Sequence, residues 1–238
     1  MQASWLPHTF GWHRLPMRPR TCWVGASDDQ AWWLLGFAGA RHGRLGAPAW
    51  HARGQALPGP EVPRWRGQPC WRPRLHATLP AAVTARWQCP PGAHAAHTPD
   101  AQADCWLAAA EALSLPPQEV CWQVQPQAPG EPRRGWAVPR RTVQDLQQGL
   151  HRLGWRLGVI EPEAWAAQRA WAALLGGWEA LLGDAPQDWC WRDADATTEP
   201  ETERSPIEEV QARVPLDTWR CLCASGLGLG VWQAGGRA

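Results

Sequence analysis

The stretch from Arg140 to Ala170 constrains the fold more than any other part of the chain. Val143, Leu146, Leu150 and Leu153 recur at helical spacing, which predicts a helix over Arg140–Leu153. Gly154 follows as its cap, because a helix end commonly needs a residue at positive φ. Trp155 to Ile160 reads as a strand. Pro162 reads as the first residue of a second helix, Glu163 to Leu175, which Gly176 and Gly177 stop. Helices alternating with strands in this way place the chain in the α/β class, with a mixed sheet.

The remaining elements are read around that unit. Cys22–Gly25 and Ala31–Phe37 are apolar runs expected to form two strands, joined through Ser27, Asp28 and Asp29. Residues 39–73 carry no stable period and are expected to be loop with at most one short strand. Arg74–Leu79 and Val83–Cys89 are expected strands, the first ended by Pro80 and the second by Pro90, Pro91 and Gly92. Asp100–Leu113 is an Ala-rich helix that starts after Thr98 and Pro99 and stops before Pro116 and Pro117. Glu119–Gln125 alternates like an edge or half-buried strand, and Gly135–Val138 is a further short one. Residues 184–213 are acidic and rich in Pro and Thr, which predicts a surface loop. Leu216–Val231 is the last packed element, and its glycines suit close contact with a neighbour.

Composition excludes several classes. Lys+Arg 23 against Asp+Glu 22 leaves a net charge of +1, too near balance for a nucleic-acid footprint or a polybasic membrane patch. Hydrophobic residues make up 45%, enough for a real core. With Trp 20, Phe 2 and no Tyr, the bulky aromatic role falls on tryptophan. Residues 1–20 have no continuous apolar region, so they read as a poorly ordered leader rather than a secretory signal. The longest apolar stretches, Ala31–Ala40, Ala164–Gly177 and Cys221–Trp232, are too short or too Gly-rich to cross a core of about 30 Å. A cytoplasmic chain is expected. Its eight cysteines (Cys22, Cys70, Cys89, Cys105, Cys121, Cys190, Cys221 and Cys223) are then expected to be buried, reduced thiols. Cys221 and Cys223 lack a second pair or a nearby His and make a poor zinc site.

Few motifs carry chemistry. With no Lys in the chain there is no phosphate-binding G-x-x-x-x-G-K-[ST] loop. Gly226, Gly228 and Gly230 have no βαβ unit after them, so helix packing outweighs phosphate contact. His94 and His97 read as a solvated pair without ligand partners. Ser27 with Asp28 and Asp29 is either a metal–phosphate turn or a set of Asx hydrogen bonds. Ser225 does not sit in G-x-S-x-G, so no nucleophile elbow is indicated. Arg64, Trp65, Arg66, Trp71, Arg72 and Arg74 interleave as single-strand binders do, but the prolines among them favour a plain loop.

An ordered series of segments from Arg74 to Ala170 resembles the type IV pilus assembly protein PilM family, whose members are actin-like cytoplasmic proteins. Leu75–Pro80 resembles that family's "alalP" strand, and Val83–Pro90 the strand after it. Asp100–Leu113 and Leu115–Val124 resemble its acidic helix, "fP-x-EEV" turn and "DfqV" strand. Trp136–Val138 and the helix from Arg140 resemble its "vllaa-r-e-v" segment. The longest match is Leu150–Ala170 against "l-aaGl-p-vvdve-yAl-ra". Trp23–Leu35 resembles the first hairpin, and Leu222–Leu229 the final "acGLAlr" helix.

The resemblance implies an actin-like (ribonuclease H-like) mixed sheet carrying a β-β-α-β insertion subdomain, with the second lobe truncated. It divides the chain into a core lobe (21–73 and 139–182 with 215–232), an insertion (74–138) and an acidic linker (183–214). It implies a scaffold rather than an enzyme. Such a scaffold binds the N-terminal tail of a PilN-like inner-membrane protein at the cytoplasmic face of a pilus or competence machine, with the insertion as one wall of the peptide groove. Ser27 and Asp28 stand where the family has the nucleotide turn Asp-x-Gly-Ser, which here reads Gly25-Ala-Ser-Asp28 without its glycine. No catalytic residue, metal or cofactor is implied. The alternatives are an actin-like protein that binds ATP and Mg, and a relative of the cytoplasmic domain of the type II secretion inner-membrane platform.

Overall fold

The computed structural model describes residues 22–27, 31–37, 48–54, 74–89, 99–124, 133–185, 188–192 and 207–235, with side chains from 74 to 229 where these ranges allow. The expected turn at Asp28 and Asp29, the pair His94 and His97, and the Arg–Trp segment 64–73 lie outside them.

Apolar runs broken by glycine and proline form a central five-stranded sheet. The strands β1 (Cys22–Ser27), β2 (Ala31–Phe37) and β3 (Pro48–Gly54) are successive antiparallel neighbours. Strand β4 (Arg74–Leu79) then lies parallel to β1. Strand β8 (Arg156–Pro162) lies parallel to β4, giving the order β3-β2-β1-β4-β8. Leu75 to Leu79 are all buried, as a central strand covered on both faces must be. The expected mixed sheet is present, but the expected boundary at Arg74 is not. Strand β4 belongs to the central sheet, so the second unit begins after it.

That second unit is a separate three-stranded sheet. It contains β5 (Ala85–Gln88), β6 (Val120–Val124) and β7 (Arg134–Pro139) in the order β5-β7-β6, with helix α1 (Pro99–Leu113) on one face. Its chain order is β-α-β-β, not the expected β-β-α-β, because the first expected strand was β4. Strand β5 also starts later than expected. Pro80 fixes a 3₁₀ turn over Ala81–Val83, closed by the Val83 N–H on the Pro80 carbonyl at 3.1 Å. Alternation along β7 divides two cores. Ala137 faces α1 with Trp87, Cys105, Ala109 and Val120. Trp136 and Val138 face Leu79, with Ile160 and Trp165 packed alongside, and fasten the two sheets together.

The helix predicted from its period is α2 (Arg140–Arg152). Gly154 at φ 78 ends it: the Trp155 N–H reaches the Leu150 carbonyl at 2.9 Å, and the Gly154 N–H reaches that of His151 at 2.9 Å. The same arrangement ends α1, with Ser114 at φ 53 in the glycine position. Helix α3 (Glu163–Ala173) starts one residue later than predicted. Pro162 keeps an extended ψ of 142 and still pairs with Leu79, so it precedes the helix instead of opening it. The helix also stops early. Leu174 turns extended and bridges Trp191, and the Arg192 N–H takes the Ala173 carbonyl at 2.7 Å.

The acidic segment is the largest correction. Helix α4 (Trp178–Gly183) precedes it, and within 183–214 Trp189 is buried with its indole N–H on the Ala180 carbonyl at 3.2 Å. Ile207–Arg213 forms α5, whose Val210 is fully buried. Glu208 and Glu209 occupy the first turn of α5, where carboxylates complement the helix dipole, and Arg213 pairs with Glu209 at 2.8 Å. Of the acidic residues, Glu208 and Glu209 lie on the solvated face of this helix. Helix α6 (Leu216–Gly235) closes the fold, lying across β1, β2 and β4 and against α3. Every residue from Trp219 to Leu229 is buried. Gly226 is required there, because a Cβ at that position would overlap the Ala166 carbonyl.

Candidate functional site

Ser27 is the last residue of β1 and pairs in register with Ala31, while Asp28 lies outside the described residues. Whether these two candidates form a site therefore falls outside the described residues. The glycine run lies within α6, and Gly226 serves helix packing, as the sequence indicated. Among the described residues no group of three or more His, Cys, Asp and Glu is placed to hold a metal ion, and no helix is long and apolar enough to cross a membrane.

Two polar clusters brace the centre of the fold. At the end of β8, Glu161 receives two hydrogen bonds from the Arg169 guanidinium, at 2.7 and 2.8 Å, and the same guanidinium donates to the Gly226 carbonyl at 2.7 Å. One cation thus ties β8, α3 and α6 together. Nearby, the Trp219 indole N–H approaches the buried Glu163 carboxylate at 3.4 Å. The second cluster is His76, buried on β4 where the β4–β8 register slips. The Val159 N–H donates to its Nδ1 at 3.0 Å, and its ring fills the space a Gly158 side chain would need. Burial, with Arg74 adding to it, pushes the imidazole down from 6.5 to about 4, so it is neutral at physiological pH. Both clusters join residues far apart in sequence, and no local motif announced them.

The cysteines follow the expectation in part. Cys89, Cys105, Cys221 and Cys223 are buried free thiols, whereas Cys121 is half-buried and Cys190 is exposed. Burial pushes the Cys221 thiol up to about 12 and that of Cys223 well above its ordinary value, so both stay protonated.

The accessible feature is the outer edge of β5. The Cys89 N–H donates to the Arg133 carbonyl at 2.7 Å, which fixes the phase of the antiparallel ladder. Trp87 and Ala85 then face β7, while the backbone groups of Arg86 and Gln88 face outward. Among the described residues no strand pairs with that edge. The Arg86 side chain reaches Glu208 of α5 at 3.7 Å, so the edge is flanked by α5 and carries both charges in solvent. The opposite edge is partly closed: Arg140 donates to the carbonyls of Gln118 at 2.7 Å and Val120 at 3.3 Å.

No protein-family model matches the chain, and no curated protein matches it. Among solved structures, the cytoplasmic domain of EpsL, an inner-membrane component of the type II secretion system of Vibrio cholerae, superposes with a TM-score of 0.43 at 12% identity. The match covers 62% of this chain and 58% of that one. The PilM-PilN type IV pilus biogenesis complex gives a TM-score of 0.44 at 17% identity, over 65% and 51%. The chain spans less than two thirds of either neighbour's length.

Proposed function

We propose that the chain is a non-catalytic, actin-like scaffold of a pilus- or secretion-type assembly at the cytoplasmic face of a membrane. It takes up the extended N-terminal tail of a PilN-like inner-membrane partner as an added strand beside β5. The observation that carries this reading is the outer β5 edge, with which no strand among the described residues pairs and whose outward N–H and C=O groups at Arg86 and Gln88 are a ready template for strand addition. The ordered sequence resemblance from Arg74 to Ala170 supports the choice of partner. Capture of this kind needs an edge and a stiff frame, not reactive groups, and the Trp136–Val138 cluster supplies the frame by fastening the second sheet to the first.

The test is anisotropy titration of a labelled tail peptide from a PilN-like partner, together with hydrogen exchange. Binding should slow exchange at the Arg86 and Gln88 amides, and Gln88→Pro, which removes one of those donors, should weaken binding at least about tenfold. Absence of binding at high micromolar peptide overturns the reading. A thermal shift of several degrees with Mg-ATP would favour a nucleotide-binding protein instead.

A further inference from the structure

We propose that Cys89 and Cys105 form a dithiol site that a peroxide converts into a disulfide, fastening α1 to the end of β5. The two sulfurs lie 3.6 Å apart across a separation of 16 residues, and both side chains are buried. Each is positioned by its own element. The backbone N–H of Cys89 is held on the Arg133 carbonyl at 2.7 Å, and Cys105 lies in the α1 core with Ala109 and Ala110. The other described cysteines offer no such geometry. Cys221 and Cys223 are two apart on one helix and do not face each other. Cys190 is exposed, and its sulfur lies 3.7 Å from the Asp188 carbonyl.

The surroundings assign the two roles. The Cys89 thiol donates to the Cys105 sulfur, and Arg133 Nη1 stands 3.9 Å from that same sulfur. A thiolate is the nucleophile in such chemistry, and a guanidinium beside a sulfur favours attack from it. Cys105 therefore attacks first. Burial and the neighbouring Cys105 raise the Cys89 thiol to about 11, so Cys89 keeps its proton and acts second.

In the first step the Cys105 sulfur bonds to one peroxide oxygen and the O–O bond breaks. The departing hydroxide takes up the proton that Cys105 lost and leaves as water, and Cys105 is now a sulfenic acid. In the second step the Cys89 sulfur attacks the Cys105 sulfur, and the S–O bond breaks. The leaving hydroxide takes the Cys89 proton and becomes the second water. Two thiols have lost two electrons and two protons, and one peroxide has become two waters.

The test uses the full chain carrying Cys190→Ser, which removes the exposed thiol. The protein is treated with hydrogen peroxide, quenched with N-ethylmaleimide, and analysed by intact mass, peptide mapping and thermal unfolding. A loss of about 2 Da, mapped to a linked pair of peptides holding Cys89 and Cys105, supports the proposal. So does a rise in Tm of several degrees that dithiothreitol reverses, because the link restricts the unfolded chain. Adding Cys89→Ser should halt the reaction at a Cys105 sulfenic acid trapped by dimedone. The proposal is overturned by a disulfide between other cysteines, by further oxidation of Cys105 while Cys89 stays a thiol, by no change at either residue, or by a fall in Tm on oxidation.

Discussion

Acidification should destabilise the protein through His76 before most carboxylates titrate. The imidazole is 5% exposed, accepts the Val159 N–H at Nδ1, and lies against Gly158 with Arg74 on the same strand. A proton on Nδ1 would set two donors against each other and bury a charge. The unfolded chain takes up that proton as pH falls through 6.5, whereas the folded chain resists until about 4. Between those values the unfolded state binds more protons, so stability falls as pH falls and is unaffected by this group above 6.5. At about 1.36 kcal/mol per pH unit, the gap amounts to about 3 kcal/mol. The assay is urea unfolding followed by tryptophan fluorescence, for the wild type and His76→Gln, at several values from about pH 7 to about pH 4. The glutamine oxygen can still accept from Val159 but does not titrate. Carboxylates contribute alike to both proteins, so the difference between the two curves isolates His76. The wild type should lose about 3 kcal/mol relative to the variant across that range. Parallel curves would refute the reasoning.

Gly226→Ala should cost about 3 kcal/mol in chemical denaturation, because the added methyl meets the Ala166 carbonyl and neither helix can yield without disturbing the other. Arg169→Met should cost about 3 kcal/mol by leaving the Glu161 carboxylate buried without its partner, and adding Glu161→Gln should recover part of that loss. Ser114→Gly should stabilise by about 1 kcal/mol, since Ser114 holds φ 53 at the end of α1 without help from its fold position. A neutral or negative change on thermal unfolding would show that the serine hydroxyl compensates.

Elements specified by neighbours in sequence were legible; those specified by distant ones were not. The period of Val143, Leu146 and Leu150 and the Gly154 cap gave α2, because helix and cap are both written within four or five residues. The strand Arg74–Leu79 was also visible, but its sheet was not. Pairing with Cys22–Gly25 across some fifty residues leaves no local mark. Helix α5 was hidden by its composition: Glu208, Glu209 and Arg213 face water, and its inward side is just Val210 with the half-buried Ile207, so a seven-residue amphipathic helix looks like an acidic linker. At the candidate site, the alternation of Glu119–Gln125 disclosed the strand β6, left open there as edge or half-buried, and it lies at one side of the second sheet. The open edge at β5 could not be read, since it depends on which of three strands takes the middle.

The proposed docking asks stiffness of a short edge, and the position of β7 bears on that stiffness. A strand added at Arg86 and Gln88 would extend a sheet that has three strands among the described residues, and so small a sheet is weak when isolated. Here the middle strand is shared by two cores, with Gly135 and Ala137 turned to α1 and Trp136 and Val138 turned to the central sheet. Gly135 lets the Trp87 ring of β5 lie directly on β7, because any side chain there would displace it. Strand β7 then runs without a break into α2, and Arg140 at that junction grips the carbonyls of Gln118 and Val120. Force on the β5 edge is therefore carried through β7 to α2 and the central sheet. A flexible hairpin would lose ordering entropy on each capture, whereas this edge is already held in the extended form that a tail must match.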